Sequence, residues 1–506
     1  MTYILALDQG TSSSRALVYD AAGSVVGSAQ QSIESTYPND GWVEQDPDMI
    51  WSSILTVGRQ AIAAANIESA AIVGIGITNQ RETTLLWERE TSRTLYNAIV
   101  WQDRRSAAYC EDLAAQACPP GQTDGQDVAT LIQQTTGLII DPYFSSTKLA
   151  WLLDEVDPDR SRAQGGELCF GTVDSFLVWH LTKGAHHVTD ATNASRTQLF
   201  DIAQQSWSDP LLELFNVPAA VLPRVLDCVA DFGTADPEWF GAAIPILGIA
   251  GDQQAALIGQ ACFTAGMSKS TYGTGCFVMT HTGDAISRSS QQLLSTVAYR
   301  IDGKPSYALE GSIFVAGVAI QWLRDQLGLI EHAAETADAF ARTKGETNGV
   351  YVVPAFTGLG APYWQPQARG LISGLTLDSD KDQITTAFLQ SVAFQTRTLL
   401  DAMAADGAPV TTLRVDGGMV VNEAFCQFLC DVLDVPVQRP ADVETTVRGA
   451  GVLAAIGAGL FADLAEAAAL WQLGQDFAPA MPKEQRQRLL KGYEQAVAQT
   501  LAAGQS

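Results

Sequence analysis

The sequence predicts an α/β fold of two similar domains with a cleft between them. First, a chain of 506 residues is longer than one hydrophobic core usually supports. Second, each half contains a predicted hairpin with a polar glycine turn, at Gly10 and at Gly273-Thr274-Gly275. Third, buried apolar runs over 71–78 and 244–250 each end in polar residues. We therefore predict a duplication, with domains over 1–250 and 251–506.

The first hairpin organises the N-terminal half. Apolar runs over 3–7 and 16–19 are typical of strands, and the connection between them reads DQGTSSSR (8–15). A glycine, hydroxyls and a guanidinium suit polyphosphate binding, because Gly10 lets the backbone approach and Arg15 offers a planar fork of donors. Asp8 suits Mg²⁺, which keeps most of its water ligands. Taken alone, the stretch is equally compatible with a solvated turn rich in Ser and Thr.

The remainder of the N-terminal half alternates strand and helix patterns. Asp46-Pro47 is typical of an N-cap and first helical residue, and Ile50, Ile54 and Val57 follow at helical spacing. A third strand is predicted over 24–33 and a buried strand over 71–78. Helices are predicted over 113–137, with a break at Pro119-Pro120-Gly121, and over 147–153.

A similar order of predicted strands and helices begins again near residue 244. A buried strand over 244–250 ends in GDQQ (251–254), and a helix follows through Gly259. A second hairpin is predicted over 268–272 and 276–280, a helix over 310–327, and a strand over 413–416 that runs into Gly417-Gly418. Phe425, Phe428, Leu429 and Val432 then form an apolar helical stripe.

Charge and composition exclude several classes of function. A net charge of −26 argues against nucleic acid or an anionic membrane as partner. The N-terminus lacks the basic region of a signal peptide, and the apolar window 449–471 is interrupted by Asp463 and Glu466, which predicts packed helices. Eight cysteines without a Cys-x-x-Cys pair indicate buried, reduced thiols. These features favour a cytoplasmic enzyme.

Neither the P-loop signature nor the protein-kinase signatures occur in the sequence. Instead, long motifs between Leu5 and Ala458 resemble those of the FGGY family of carbohydrate kinases, which belongs to the actin, hexokinase and heat-shock ATPase superfold. The motifs are DQGTSSSR (8–15), GWVEQDP (41–47), GITNQRETT (76–84), NAIVWQDRR (97–105), DPYFSSTKLAW (141–151), TNASRTQLF (192–200), GIAGDQQAALIGQ (248–260), TYGTGCF (271–277), YALEGSIFVAGVAIQWLRD (307–325), GVYVVPAFTGLGAPYW (349–364) and RVDGG (414–418).

The resemblance implies two ribonuclease-H-like domains and ATP-dependent, Mg²⁺-dependent phosphorylation of glycerol to sn-glycerol 3-phosphate. It implies that Thr11, Ser12, Ser13 and Arg15 hold the phosphates, and that Thr274 closes over them from the second domain. The adenosine would be framed by Gly317, Gln321, Gly418 and Asn422. Met419-Val420-Val421 departs from the smaller residues usual in the family.

For the acceptor, the resemblance implies hydroxyl binding by Arg81, Glu82, Tyr143, Asp252 and Gln253, with Trp101 and Phe277 covering the carbon chain. A small polyol needs such a set, because each hydroxyl requires directional partners and each CH group an apolar wall. Asp252 is the predicted base. Arg15 and Mg²⁺, held by Asp8 and Asp252, would neutralise charge in a loose transition state.

Alternatives to these assignments remain at this stage. Arg81-Glu82 alone could be a surface ion pair, Trp101 a core aromatic and Gly417-Gly418 a tight turn. The acceptor could be another small polyol or a ketose, or the chain could be a non-catalytic actin-like nucleotide-binding scaffold. The resemblance also implies a homodimer or homotetramer. The loop 234–241 lacks the basic residues with which some relatives bind fructose 1,6-bisphosphate, so we expect no inhibition by that sugar phosphate.

Overall fold

A computed structural model describes residues 1–116 and 127–503. The strands are β1 Tyr3–Gln9, β2 Ser13–Asp20, β3 Val25–Ser32, β4 Glu44–Gln45, β5 Ile72–Asn79, β6 Leu85–Glu88, β7 Ala98–Ile99, β8 Leu168–Gly171, β9 Val188–Asp190, β10 Phe200–Asp201, β11 Ser206–Trp207, β12 Arg224–Leu226, β13 Thr234–Ala235, β14 Ile244–Gly251, β15 Met267–Tyr272, β16 Cys276–Gly283, β17 Leu294–Ile301, β18 Lys304–Ile313, β19 Tyr351–Val353, β20 Leu371–Ser373, β21 Thr412–Asp416, β22 Val437–Pro440 and β23 Leu473–Phe477.

The helices cover both faces of the sheets. They are α1 Pro47–Ala65, α2 Ala107–Ala114, α3 Val128–Thr136, α4 Ser145–Val156, α5 Ser161–Gln164, α6 Val173–Leu181, α7 Ala191–Ala194, α8 Asp209–Leu214, α9 Pro237–Phe240, α10 Asp252–Gly259, α11 Gly317–Asp325, α12 Glu335–Thr343, α13 Lys381–Ala405, α14 Glu423–Leu433, α15 Thr445–Gly457, α16 Leu464–Ala467 and α17 Lys483–Ala503. None of these helices is long and apolar enough to cross a membrane.

The two large sheets share one topology. In the first, with strand order β13-β14-β5-β1-β2-β3, the strands β1, β2 and β3 form an antiparallel meander, and β5 and β14 continue it parallel to β1. In the second, with strand order β17-β18-β16-β15-β21-β22-β23, β15, β16 and β18 are the corresponding antiparallel strands, β17 adds a further strand outside β18, and β21 and β22 continue the sheet parallel to β15. The predicted duplication of the fold is confirmed.

Two helices that cross at glycines join the lobes. A Cβ atom on Gly259 of α10 would collide with the carbonyl of Thr445, and one on Gly449 of α15 would collide with the carbonyl of Ala255. The backbones therefore touch, which larger residues would prevent. Asp252 is the first residue of α10, so this contact fixes its position in the cleft.

Two sequence predictions differ from the structure. The predicted helix over 310–327 is wrong: residues 304–313 form β18, and the helix starts only at Gly317. Because β18 is buried on both faces between β16 and β17, its apolar residues do not alternate, and the sequence pattern resembled a helix. The segment predicted as helical over 113–137 contains α3, and α2 starts earlier, at Ala107; the predicted break at Pro119–Gly121 lies outside the described residues.

The cysteines agree with the expectation of reduced thiols. In the described ranges, Cys110, Cys169, Cys228, Cys262, Cys276, Cys426 and Cys430 are free and buried.

Candidate active site

A cavity of about 400 Å³ opens where the ends of the strands of the two sheets face each other. The β1–β2 turn, the end of β5, the start of α10 and the β15–β16 turn all contribute to it. Its lining includes Thr11, Ser12, Arg81, Glu82, Trp101, Tyr143, Asp252, Gln253, Thr271, Gly273, Thr274, Gly275 and Phe277. The structure thus brings most of the predicted phosphate and acceptor residues into one space.

The β1–β2 turn is held rigidly at the edge of this cavity. Gly10 N donates to Ser13 O at 2.9 Å, and Gln45 Nε2 donates to Thr11 O at 2.6 Å. The Thr11 hydroxyl accepts from the indole of Trp101 at 2.8 Å, so its own proton is free to point at a ligand. The Ser13 hydroxyl instead accepts from Gln30 at 3.0 Å.

Arg15 lies beside the turn rather than in the lining of the cavity. Its Nη1 forms an ion pair with Glu444, immediately before α15, and its Nη2 donates to Gln30 at 3.0 Å. Arg15 therefore already has an acidic partner, located just before α15, a helix that packs against β1, β5 and β14 of the first sheet. A phosphate at this turn would have to compete with Glu444 for the guanidinium.

A buried ion network lies beneath the acceptor residues. Arg81 binds Glu310 through two hydrogen bonds, Nη1 to Oε2 at 2.6 Å and Nη2 to Oε1 at 3.1 Å. Arg196 donates to Glu310 at 3.0 Å and to Glu82 at 2.6 Å. Glu310 belongs to β18 of the second sheet, whereas the other three residues belong to the first lobe, so the network joins the lobes at the bottom of the cleft.

The charges of this network balance, with two guanidinium groups and two carboxylates. Burial alone would raise the pKa of Glu310, but Arg196 and Arg81 outweigh burial and bring it to about 2. Burial raises the pKa of Glu82 from its ordinary value, with Arg81 and Arg196 opposing the rise. Glu310 is therefore ionised throughout the physiological range, and the direction of the Arg81 side chain is fixed.

Asp252 faces the cavity with about a quarter (27%) of its side chain exposed. One carboxylate oxygen lies 3.1 Å from Arg81 Nε and also accepts from the backbone amide of Gln253 at 2.7 Å. Burial raises the pKa of Asp252, and Arg81 and Lys269 oppose the rise. The carboxylate is thus oriented by a cation while it stays accessible from the cavity, as a general base requires.

Asp8 lies near the end of β1 and Asp252 directly follows β14, with β5 between these two strands, and the two carboxylates influence each other. Burial raises the pKa of Asp8 to about 7; Arg15 lowers it and the nearby Asp252 raises it further. Two carboxylates with this mutual repulsion suit a divalent cation. Within the described residues no group of three or more His, Cys, Asp or Glu forms a metal cage. Mg²⁺ needs no such cage, because waters and substrate phosphates supply most of its ligands.

Aromatic rings form one wall of the cavity. The Trp101 ring meets Tyr143 edge-on at 5.6 Å and Phe277 edge-on at 6.0 Å between centroids. Arg81 Nη2 donates to the Tyr143 hydroxyl at 3.4 Å. The cavity therefore offers charged donors and acceptors on one side and an apolar surface on the other.

A second cavity of about 650 Å³ adjoins the first in the C-terminal lobe. Its lining includes Gly273, Thr274, Gly317, Ile320, Gln321, Ala333, Ala334, Thr336, Ala337, Gly418, Met419, Val421 and Asn422. All four residues predicted to frame the adenosine lie here. A Cβ atom on Gly418 would meet nothing within 4 Å, so this edge of the cavity is bare.

The two cavities share Gly273 and Thr274 of the β15–β16 turn. Of the predicted site residues, Asp8, Ser13 and Arg15 stand next to the cavities without lining them. Sequence reasoning missed Arg196, Glu310 and Lys269. Arg196 and Glu310 lie inside the motifs 192–200 and 307–325, and Lys269 lies two residues before the motif 271–277. Each is a charged residue among buried neighbours, and a charge in such a setting must be paired.

Comparison with known families agrees with this architecture. Residues 3–259 match the N-terminal domain of the FGGY family of carbohydrate kinases, and residues 269–458 match its C-terminal domain. The chain belongs to this FGGY family. The resemblance stated from the motifs is thereby confirmed, as is a kinase built on the two-domain FGGY fold.

Curated FGGY relatives resemble the chain over nearly its full length. A glycerol kinase of Alcanivorax borkumensis is 57% identical over 499 residues, and glycerol kinase 1 of Pseudomonas aeruginosa is 55% identical over 495 residues; each match covers 98% of both chains. Among solved structures, Plasmodium falciparum glycerol kinase with ADP is 34% identical and superposes with a TM-score of 0.89, over 99% of this chain and 98% of that one.

Proposed function

We propose that this protein is an ATP-dependent kinase that phosphorylates glycerol to sn-glycerol 3-phosphate and releases ADP. The observation that carries the proposal is the meeting of the two cavities at Gly273 and Thr274, with Asp252 in the smaller one. A phosphoryl group at this junction would lie between a nucleotide in the larger cavity and an acceptor in the smaller one. Relatives above 50% identity over nearly their full length carry the name glycerol kinase.

In this reaction the base is Asp252. Its carboxylate takes the proton of a primary hydroxyl, that oxygen forms a bond to the γ-phosphorus, and the bond from phosphorus to the β–γ bridging oxygen breaks. ADP keeps the electron pair of that bond. The Arg81 contact at 3.1 Å holds the carboxylate in one direction, which supplies the alignment on which loose phosphoryl transfer mainly depends.

The phosphates of ATP belong at the β1–β2 turn. Thr11, Ser12 and Ser13 supply hydroxyl and backbone donors, Thr274 faces them from the second lobe, and Arg15 neutralises developing charge after it leaves Glu444. Asp8 and Asp252 would hold Mg²⁺ through its waters. The ion would offset the negative charge of the phosphates.

The adenosine belongs in the larger cavity. A flat purine would lie against the bare Gly418 edge and the apolar Met419 and Val421, and Gln321 and Asn422 would bond its polar edges or its ribose. Asn422 already accepts from Phe425 N at 3.2 Å and donates to Thr336 at 3.2 Å. It is therefore oriented before any ligand arrives.

The acceptor hydroxyls belong on Arg81, Glu82, Asp252 and Gln253, with Tyr143 as a further polar contact, and the carbon chain on Trp101 and Phe277. A kinase of a longer polyol or of a ketose is the second candidate. A non-catalytic scaffold would have no use for a charged, aromatic-walled acceptor cavity beside the phosphate turn. We further propose the domain division at residue 250 and a cytoplasmic homodimer or homotetramer, both of which rest on the predictions from sequence.

One assay tests the proposal. ADP release is measured with ATP, Mg²⁺ and glycerol, dihydroxyacetone, xylulose, erythritol or no acceptor. Glycerol should give the highest kcat/KM, and turnover without acceptor should be negligible. A higher kcat/KM for xylulose or erythritol would select the second candidate, and equal turnover with and without acceptor would reject a polyol kinase. Omission of Mg²⁺ should abolish turnover.

A further inference from the structure

Lys269 lies behind the acceptor cavity and is fully buried on β15. Its ammonium donates to the side-chain oxygen of Gln253, to Thr271 Oγ1 at 3.0 Å and to the carbonyl of Phe277 at 3.4 Å. Gln253, Thr271 and Phe277 all line the cavity. The lysine thus connects α10, β15 and β16 through groups that face the acceptor.

The chemistry of the lysine fixes the orientation of Gln253. An ammonium group has three donors and no acceptor, so the Gln253 oxygen must face it. The Nε2 amide then points the other way. Among residues 1–116 and 127–503, Gln253 Nε2 donates to no protein atom, and the residue borders the cavity. The site therefore presents a donor, not an acceptor, at this position.

Hydrogen bonds and nearby carboxylates partly offset the cost of burying the charged lysine, although its pKa is lowered overall. Burial lowers the pKa of Lys269, while Asp416, Asp252 and Glu310 oppose the shift; Arg81 adds to it. A buried ammonium with three hydrogen bonds and carboxylates nearby meets the requirements for a charge away from water.

We propose that Lys269 is a positioning residue that sets acceptor specificity by holding the Gln253 amide as a donor to one acceptor oxygen. The inference rests on the proposed polyol kinase function and adds to it. Without the lysine, Gln253 can rotate its amide or lose its fixed direction, and a hydrogen bond to the acceptor is lost. ATP is held elsewhere, so its binding should not change.

The experiment is a double-mutant cycle with Lys269→Met and Gln253→Ala, read as KM for glycerol and KM for ATP. Each single variant should raise KM for glycerol about 10- to 100-fold, the effect of one lost hydrogen bond with a group left unpaired. KM for ATP should stay within about twofold. Because both changes remove the same interaction, the double variant should match Gln253→Ala within about threefold. Lys269→Arg, which keeps the donors, should recover part of the affinity.

The matched control is Lys148→Met. Lys148 is also fully buried and donates to three backbone carbonyls, those of Pro142, Tyr143 and Phe144. Lys148 does not contact Gln253, so the effects of Lys148→Met and Gln253→Ala on KM for glycerol should multiply in the double variant. If the Lys269 and Gln253 effects multiply in the same way, the lysine is only structural and the proposal is wrong.

A further variant keeps the test decisive if Lys269→Met fails to fold. Gln253→Glu preserves the oxygen that Lys269 binds but removes the amide donor, so KM for glycerol should rise as it does in Gln253→Ala. An unchanged KM in Gln253→Glu would overturn the proposal. Failure of the proposed function is distinguishable, because the wild-type protein would then show no glycerol-dependent ADP release at all.

Discussion

The two ends of the cleft recognise their ligands by opposite means. The acceptor end is lined by charged side chains whose directions are fixed by a buried network, in which Glu310 and Arg196 lie behind Arg81 and Glu82. The nucleotide end is bare, with glycines and alanines around Met419 and Val421. A small polyol can be distinguished only by directed hydrogen bonds, whereas a purine is recognised mainly by the shape of a flat slot. Substitutions should therefore cost most at the acceptor end.

The largest effect is expected for Asp252→Asn. An amide cannot take the hydroxyl proton, so kcat should fall at least about 100-fold, within the ~10²–10⁴ typical of a general base. ADP affinity, measured by calorimetry, should stay within about threefold. Asp227→Asn is the control, because Asp227 is similarly exposed (21%) and pairs with Arg300 Nε at 2.5 Å outside both cavities. Near-normal turnover in Asp252→Asn would remove the assignment of the base.

Glu310→Gln should have the next largest effect. It distinguishes a loss of acceptor positioning from a general loss of stability. The change leaves Arg81 and Arg196 without their shared carboxylate, and Arg81 is then free to turn toward Glu82 or Asp252. KM for glycerol should rise about 10- to 50-fold, roughly 1.4–2.3 kcal/mol, with KM for ATP unchanged.

The control for Glu310→Gln is Glu44→Gln. Glu44 is buried and pairs with Arg105 at 2.7 Å, and neither residue lines the two cavities. Both variants should lose stability in urea unfolding, since breaking a buried pair costs about 3–5 kcal/mol. Only Glu310→Gln should raise KM for glycerol; an equal rise in Glu44→Gln would mean that general loosening is the cause.

The pH dependence of stability should differ between the wild type and Glu310→Gln. The pKa of Glu310 is about 2 in the folded state, against an ordinary value of 4.5. Its contribution to the free energy of unfolding is therefore complete above pH 4.5 and is lost as the pH falls toward 2. Urea unfolding of the wild type should show a steeper loss of stability across this range than unfolding of Glu310→Gln. Parallel curves would show that the carboxylate is not held by the two arginines.

The smallest effect is expected at the nucleotide end, for Gly418→Ala. The new methyl group would meet no protein atom within 4 Å and would only narrow the slot. KM for ATP should rise about two- to fivefold, at most ~1 kcal/mol, with KM for glycerol unchanged. Gly317→Ala should raise KM for ATP more than Gly418→Ala does, because its Cβ would lie 2.5 Å from the Gly273 carbonyl oxygen. A larger loss in Gly418→Ala than in Glu310→Gln would reverse the comparison between the two ends.

Prediction from sequence succeeded where a local pattern carries the information. The Asp46-Pro47 helix start and the second hairpin occur as predicted, because capping and glycine turns act over a few residues. The first hairpin also occurs, but its turn is shorter than the predicted connection 8–15, since Asp8 and Arg15 pair within β1 and β2. It failed at residues 310–313, where a strand covered on both faces lost its alternation.

The amino-acid sequence alone determined that the chain has two similar halves, where the polar turns lie at strand ends, and which side chains could hold phosphate or hydroxyls, because these are properties of neighbouring residues. Only the tertiary structure decided that Glu310, more than 200 positions from Arg81 in the chain, is its partner at 2.6 Å, and that Lys269 directs Gln253. Which buried charges pair depends on how two sheets and two crossing helices bring distant segments together. No local sequence pattern indicates which buried charges pair with each other, although burial requires each charge to have a partner.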